Sequence, residues 1–159
     1  LLLIVAVPGC KSTFTQRMHQ DITTNKLDIK KVQFYNSEAI ELRRVTKIKD
    51  KKRITKSGKL SHKKGKVEEY VLVRSKTPGV CIKDDKDTLY ITFDAYDDNK
   101  NLPFILKKGK YVLATKKGKI TYMGITYKVI DGKKAYLMIK STKKKIDKDK
   151  EKTLKGRRL

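Results

Sequence analysis

Short strand-like runs separated by glycine-containing turns are the feature that most constrains the fold of this chain. In the run 40–45, Ile40 and Leu42 alternate with Glu41 and Arg43. A period of two is typical of a β-strand that buries one face. Further runs rich in β-branched and aromatic residues lie at 32–35, 67–74, 80–82, 88–93, 111–114, 120–122, 126–130 and 135–139.

The connectors between these runs have hairpin chemistry. Lys-Lys-Gly-Lys occurs at 63–66, 107–110 and 116–119, and Gly124 and Asp131-Gly132 add two more turn signals. Glycine adopts the positive φ that tight hairpins require. The sequence therefore predicts a mainly β protein: an antiparallel meander forming a small sheet, sandwich or barrel, with a short N-terminal tether and a basic C-terminal tail.

The chain opens with seven apolar residues followed by Pro8, Gly9 and Cys10. Seven residues are far fewer than the roughly 20 that a membrane-spanning helix needs. They fit the end of the apolar region of a secretory signal peptide, which runs about 7–15 residues. Because the chain does not begin with Met, we expect the basic start of that signal peptide to lie upstream.

The segment Val7-Pro8-Gly9-Cys10 resembles the lipobox of bacterial lipoproteins. That pattern has an aliphatic residue three positions before the cysteine and a small residue directly before it, which Val7 and Gly9 match and Pro8 departs from. The resemblance implies cleavage between Gly9 and Cys10 and lipidation of Cys10. It also implies an envelope location, in the periplasm or at the cell surface, with the membrane as a partner.

Two other interpretations of this segment stay open. In the first, residues 1–7 form a buried first strand and Cys10 is an ordinary apolar cysteine. In the second, the segment 8–13 is a phosphate-binding loop after a strand. The second lacks the upstream glycine and has Cys10 where a glycine would allow close backbone approach to phosphate.

The organisation predicted along the chain has four parts. Residues 1–9 are the remnant of the signal peptide, 10–30 a lipid-anchored tether with a short helix around 14–20, 31–141 the β domain, and 142–159 a basic tail. The tail from residue 143 holds nine Lys or Arg against three acids and few aliphatic residues. Such a segment buries too little surface to offset its ordering entropy.

Positive charge is the strongest compositional signal. Lys and Arg number 41 against 17 Asp and Glu, a net charge of +24. Residues 43–66 hold twelve of these cations and a single acid, Asp50. The candidate anion-binding residues in this segment are Arg43, Arg44, Lys51, Lys52, Arg53, Lys63, Lys64 and Lys66.

This charge supports several partners. Anionic lipid headgroups or an acidic cell-wall polymer would attract it, and nucleic acid is the alternative because lysine-rich stretches bind phosphate backbones. Arg is scarce beside Lys, which disfavours direct reading of bases. A third interpretation is that the lysines only solvate the outer surface.

Catalytic and metal-binding patterns are weak. Cys81 lies among aliphatic residues, which predicts a small buried thiol rather than a nucleophile, and His19 and His62 sit in no recognisable signature. The acidic segment around Asp94 has the ligand types of a calcium site but lacks the Asp-x-Asp-x-Asp-Gly loop pattern. We therefore expect no enzyme activity, no cofactor, no metal and no disulfide, and the oligomeric state stays undetermined.

The resulting hypothesis is a membrane-anchored envelope lipoprotein with a non-enzymatic binding or structural role. The runner-up is a soluble basic β-barrel that binds nucleic acid. A hydrolase that uses Cys81 is the third alternative.

Overall fold

The computed structural model describes the backbone of residues 10–54 and 60–140 and the side chains of residues 10–47 and 65–140. The segments 1–9 and 142–159, assigned above to a signal peptide and a basic tail, lie outside the described residues. Within the described chain, one helix α1 (Gln16–Thr24) and a 3-10 turn (Ile29–Lys31) accompany the strands β1 (Lys11–Thr13), β2 (Gln33–Asn36), β3 (Ile40–Ile54), β4 (Leu60–Val73), β5 (Pro78–Asp85), β6 (Thr88–Thr92), β7 (Asn101–Lys107), β8 (Lys110–Leu113), β9 (Lys119–Tyr122), β10 (Ile125–Asp131) and β11 (Leu137–Lys140).

The strands form two antiparallel sheets, as the alternating patterns and hairpin turns predict. A seven-stranded sheet has the order β1-β11-β2-β5-β6-β7-β8, and a four-stranded sheet has the order β4-β3-β10-β9. The mainly β antiparallel fold is confirmed, and neither sheet closes into a barrel. Strands β5 to β8 form an antiparallel meander.

Both sheets pack on one apolar core. The seven-stranded sheet contributes Phe34 and Phe104, and the four-stranded sheet contributes Leu42 and Val129, all four fully buried. Buried residues alternate with partly exposed ones along β8 and the first half of β7, which places one face of each strand in the core. Burial of this shared apolar surface is the main stabilising contribution to the fold.

The tether predicted for residues 10–30 is wrong for its described part, because this segment is folded into the domain. Strand β1 pairs with β11, with Ser12 opposite Ile139, and Phe14 is fully buried. Helix α1 begins at Gln16, where the Thr15 hydroxyl accepts a hydrogen bond from the Met18 N–H at 3.3 Å. The spacing of Phe14, Met18 and Ile22 gives the segment one apolar face that packs on the core.

The sequence prediction also omits one strand and misplaces one turn. Strand β7 had no sequence prediction, and its Pro103 hides the strand because proline removes a backbone donor. Here Pro103 contributes its carbonyl, which accepts from the Ala114 N–H at 2.9 Å. The Lys-Lys-Gly-Lys copy at 63–66 is not a turn: Gly65 lies inside β4 opposite Ile48, where the register with β3 shifts.

The turn predictions at 107–110, 116–119 and Gly124 are confirmed. In each, the residue before the glycine and the glycine both have positive φ, for example +51° at Lys108 and +79° at Gly109. Two consecutive positive φ values define a type I′ turn, whose twist matches that of paired antiparallel strands. The repeated tetrapeptide is therefore a turn module at two of its three positions.

Gly132 is required because of close packing as well as its positive φ, and a comparison with Gly109 separates the two causes. Both have φ of +79°, but a Cβ on Gly132 would lie 2.3 Å from the Ala39 carbonyl oxygen, whereas one on Gly109 would meet nothing within 4 Å. We expect Gly132→Ala to lower the free energy of unfolding by about 1–3 kcal/mol more than Gly109→Ala, because it adds a backbone clash to the same φ strain. Urea denaturation of the two variants measures this difference, and equal losses would contradict it.

Candidate functional site

Cys10 lies exposed at the beginning of the described chain, directly before β1. Two cations flank the same edge of the sheet: Lys11 and Lys140 are opposite one another in the β1–β11 register. Their ammonium groups lie 4.2 and 5.9 Å from the centre of the Tyr35 ring, a cation–π arrangement. Cys10 thus directly precedes a small basic patch on a folded strand, and Gly9 lies outside the described residues.

Two of the predicted anion-binding residues already have acidic partners. Arg43 lies 3.6 Å from the Glu68 carboxylate, and Arg44 lies 3.6 Å from that of Glu69. The cross-strand register between β3 and β4 produces both pairs. These two arginines are therefore partly neutralised, which reduces their value for a free anion.

The remaining candidates lie on a two-stranded ribbon, the part of β3 and β4 beyond Arg43. Within the described chain β10 pairs with β3 only at residues 41–43, so the ribbon continues as β3 and β4 alone. Lys66 is exposed on it, opposite Lys47, and the backbone places Lys51 opposite Lys63. The side chains of Lys51, Lys52, Arg53, Lys63 and Lys64 lie outside the described residues, and the ribbon brings these positions together by register only.

A second basic region, the interstrand groove, had no sequence prediction. It is an open groove of about 1060 Å³ between the β6–β7 part of the larger sheet and the edge strand β9 of the smaller one. Lys116, Lys117 and Lys119 line it. The chain passes from one sheet to the other at this point, which is why residues distant in sequence share the groove.

The turn 116–119 sets the positions of these lysines. The Lys116 N–H donates to the Lys119 carbonyl at 2.9 Å, and the Lys119 N–H donates back at 3.0 Å. Lys117 and Gly118 have φ of +51° and +71°, so the turn is type I′. Three cations are thereby held on four consecutive residues of a tight turn. The charge was visible in the sequence, but the groove beside it depends on the packing of the two sheets.

The structure also joins three side chains that the sequence does not connect. His19 is buried on α1, and its Nδ1 accepts a hydrogen bond from the hydroxyl of Tyr111 on β8. Its Nε2 lies 2.8 Å from an Asp84 carboxylate oxygen on β5. We name these three residues the histidine latch, because they tie α1 to the larger sheet.

The chemistry of the histidine latch favours a structural role. Burial, together with the nearby Asp84 and Asp87 carboxylates, raises the pKa of Tyr111 to about 12. The phenol therefore stays protonated at neutral pH and donates to His19, with Nε2–H donating to Asp84 (the tautomer is assigned from this network). Both ring nitrogens are engaged, and the arrangement opposes formation of a nucleophilic phenolate.

Cys81 is buried, as its aliphatic neighbours predict. Its thiol donates to the Lys83 carbonyl at 3.3 Å. Burial, with a smaller contribution from Asp84, raises the pKa of Cys81 to about 11. A raised pKa lowers the thiolate fraction, and the thiolate is the nucleophilic form.

The acidic segment uses its carboxylates to hold its own loop. Asp94 accepts backbone N–H groups of Tyr96 and Asp97, each at 3.0 Å, and lies 3.1 Å from the Lys100 ammonium. The Tyr96 N–H bond is the largest cause that lowers the pKa of Asp94, followed by the Lys100 bond. Among the described side chains, no group of three or more His, Cys, Asp or Glu residues is arranged to hold a metal ion.

Comparisons with protein-family models, curated proteins and solved structures found no match to this chain. No helix in the described ranges 10–54 and 60–140 is long and apolar enough to span a bilayer. Cys10, the ribbon and the interstrand groove are therefore the features of this chain that point to a function.

The histidine latch predicts a measurable stability difference. Tyr111→Phe removes the donor to His19 Nδ1 and leaves a buried acceptor without its partner, so we expect the free energy of unfolding to fall by about 1–3 kcal/mol. Tyr96→Phe is the control, since Tyr96 is 98% exposed and its hydroxyl is free to bond water. Chemical denaturation of both variants tests this, and indistinguishable midpoints would show that the latch contributes nothing.

Cys81 predicts a reactivity difference. In a Cys10→Ala background at pH 8, a pKa of about 11 in place of 9.0 leaves about a hundredfold less thiolate. We expect alkylation of the native protein by iodoacetamide to be slower than that of the urea-unfolded protein by at least this factor, and to accelerate as the pH rises towards 11. Equal native and unfolded rates at pH 8 would instead revive a nucleophilic role for Cys81.

Proposed function

We propose that the protein is a bacterial envelope lipoprotein, anchored to a membrane through Cys10, with a non-enzymatic binding role. The observation that carries the proposal is the position of Cys10. It is exposed, it follows the lipobox-like Val7-Pro8-Gly9, and the first described strand begins at the next residue, Lys11. A cleavage before Cys10 would remove no residue of any described strand.

The anchoring chemistry follows from the thiol. The Cys10 sulfur forms a thioether with the diacylglyceryl group of a phospholipid, whose headgroup leaves with the thiol proton. Hydrolysis of the Gly9–Cys10 peptide bond then frees the Cys10 amine. Each acyl CH₂ buried in the membrane adds about 0.8 kcal/mol of affinity, so two or more chains give stable anchoring without a spanning helix.

The surroundings of Cys10 support contact with an anionic membrane surface. Lys11 follows Cys10 in the chain and Lys140 lies opposite Lys11, so acyl chains on Cys10 would bring both cations within reach of the headgroups. Each cation near an anionic surface contributes about 1 kcal/mol at physiological ionic strength. The domain would then lie directly against the headgroups, because β1 leaves no spacer after Cys10.

The ribbon supports binding to an anionic partner in the envelope. The register places Lys47 opposite Lys66 and Lys51 opposite Lys63. Like charges on directly opposite residues of a β-ladder are destabilising, and an anion between them would relieve that repulsion. Acidic headgroups and acidic cell-wall polymers both supply such an anion.

Nucleic acid is the second candidate partner, and the same ribbon favours it. A two-stranded β-ribbon fits the major groove of DNA, and lysines bind phosphates with a strong dependence on salt. This alternative requires a protein that stays inside the cell, so localisation separates the two functions.

Metabolic labelling tests the anchor. In a bacterium expressing the complete gene, we expect a palmitate analogue to label the wild-type protein in the membrane fraction. Cys10→Ala should lose all label, because it removes the acceptor sulfur. Cys81→Ala is the matched control and should keep full label, since its thiol is buried.

An unlabelled wild-type protein in the soluble fraction would contradict the proposal. If that protein also bound RNA or DNA with steep salt dependence, the nucleic-acid function would replace it.

A further inference from the structure

The interstrand groove combines positive charge with an absence of counter-charge. Three lysines line it, and no carboxylate does among the described residues. Two more cations stand close by: Lys128 is opposite Lys119 in the β9–β10 register, and the Lys133 side chain lies beside Gly118. None of these five lysines forms an ion pair within the described part of the chain. The groove is thus a concentrated positive surface without an internal partner.

The rest of the groove lining is uncharged and offers hydrogen-bonding and apolar groups. Amide and hydroxyl groups come from Asn99, Asn101, Thr115, Thr121 and Thr126. Apolar contact surface comes from Pro103 and Met123, with Met123 half exposed, whereas Ile120 at the base of the groove is buried in the core. Neutral donors and acceptors beside flat apolar surface and a few cations match a ligand that carries hydroxyls, ring C–H faces and negative charge.

We infer that the interstrand groove binds an acidic polysaccharide, a chain of sugar units that bear carboxylate or phosphate groups. The lysines pair with the anionic groups, the Asn and Thr side chains bond the hydroxyls, and Pro103 and Met123 support the ring faces. The open shape lets a polymer pass along the groove, and its volume of about 1060 Å³ is at the upper end of the range for small-ligand pockets.

Nucleic acid fits this groove less well. Proteins that bind single-stranded nucleic acid combine a positively charged groove with aromatic side chains on which successive bases stack. Tyr90 is the one aromatic residue in the described lining, and the Lys83 ammonium lies 5.2 Å from its ring centre. The groove therefore supplies sites for hydroxyls and charges but little free aromatic surface.

The chain contains its own matched control. Residues 107–110 repeat the sequence Lys-Lys-Gly-Lys, and Lys108 and Lys117 have the same φ of +51°. The turn at 107–110 joins β7 to β8, and none of its lysines lines the groove. Equal substitutions in the two turns remove equal charge from the same type of turn; the 107–110 turn lies away from the groove, and its Lys110 contacts the Tyr136 ring.

The test uses the full chain carrying Cys10→Ala, so that no lipid is present. Calorimetry measures binding to polygalacturonate, a carboxylated sugar polymer, with neutral dextran and polyglutamate as reference polymers. We expect polygalacturonate to bind most tightly, and K116Q/K117Q/K119Q to weaken it by about tenfold or more. K107Q/K108Q/K110Q should weaken it by no more than about threefold, through net charge alone.

Equal losses in the two triple variants, or equal affinity for polyglutamate and polygalacturonate, would overturn the inference and reduce the effect to net charge. Tighter binding of RNA or single-stranded DNA that depends on Lys116, Lys117 and Lys119 would overturn it in favour of nucleic acid. Circular dichroism checks that the variants fold. If a triple variant does not fold, the two single variants Lys117→Glu and Lys108→Glu repeat the comparison.

That the polymer comes from the cell envelope rests on the proposed function, whereas the binding chemistry of the groove does not depend on it. Because the assay uses unlipidated protein, failed binding with intact palmitate labelling removes only the polysaccharide. Intact binding with failed labelling removes only the anchor.

Discussion

Strand β11 is the constraint on which the rest of the larger sheet depends. It lies between β1 and β2 and so joins segments from opposite ends of the described chain. The Phe14 N–H donates to the Leu137 carbonyl at 2.9 Å, and the Leu113 N–H donates to the Ala135 carbonyl just before β11 at 2.8 Å. The first contact closes a loop of more than a hundred residues and the second a loop of about twenty, and this entropic cost must be met before the contacts stabilise the fold. The buried face of β11 offsets that cost, because Leu137 is fully enclosed in the core.

The sequence predicted the elements whose signal is local. The type I′ turns at Gly109, Gly118 and Gly124 depend on a glycine at one position, and the core strands depend on a period of two, so both are readable from neighbouring residues. Strand β7 is not apparent from the sequence because Pro103 interrupts an otherwise apolar run. In the structure Pro103 lacks a backbone N–H but still pairs through its carbonyl, which accepts from the Ala114 N–H. The N-terminal segment was read as a tether because Phe14, Met18 and Ile22 are sparse among polar residues.

The candidate site residues also divide into those with a local sequence signal and those without one. Cys10 is identified by its immediate neighbours, and the basic ribbon by charge density. The histidine latch joins residues 65 and 92 positions apart, and the interstrand groove forms where two sheets meet, so neither leaves a local pattern. A histidine near the start of a helix gave no reason to expect Tyr111 and Asp84 beside it. The spacing of Phe14, Met18 and Ile22 was the one available signal that this segment packs on a core.

In a lysine-rich protein the positive charge alone is a weak guide to function. The contacts of each cation show which of them are free to bind a ligand. Arg43 and Arg44, in the densest basic segment, have carboxylate partners. The cations at 107–110 stand on an exposed turn, where Lys110 lies 4.5 Å from the Tyr136 ring centre. The lysines of the interstrand groove have neither feature and share a concave surface with amides and hydroxyls. Equal formal charge therefore has unequal capacity to hold a ligand.

The absence of a spacer after Cys10 has a mechanical consequence for a lipid-anchored domain. A lipid on Cys10 would pull directly on β1, an edge strand held by three residue pairs to β11. Three pairs at one edge give little resistance by themselves. The adjoining segment supplies the rest: Phe14 is buried against Phe34 and Tyr111, and the histidine latch ties α1 to β5 and β8. If Cys10 is the anchor, the buried histidine thus helps to hold the segment to which the lipid is attached.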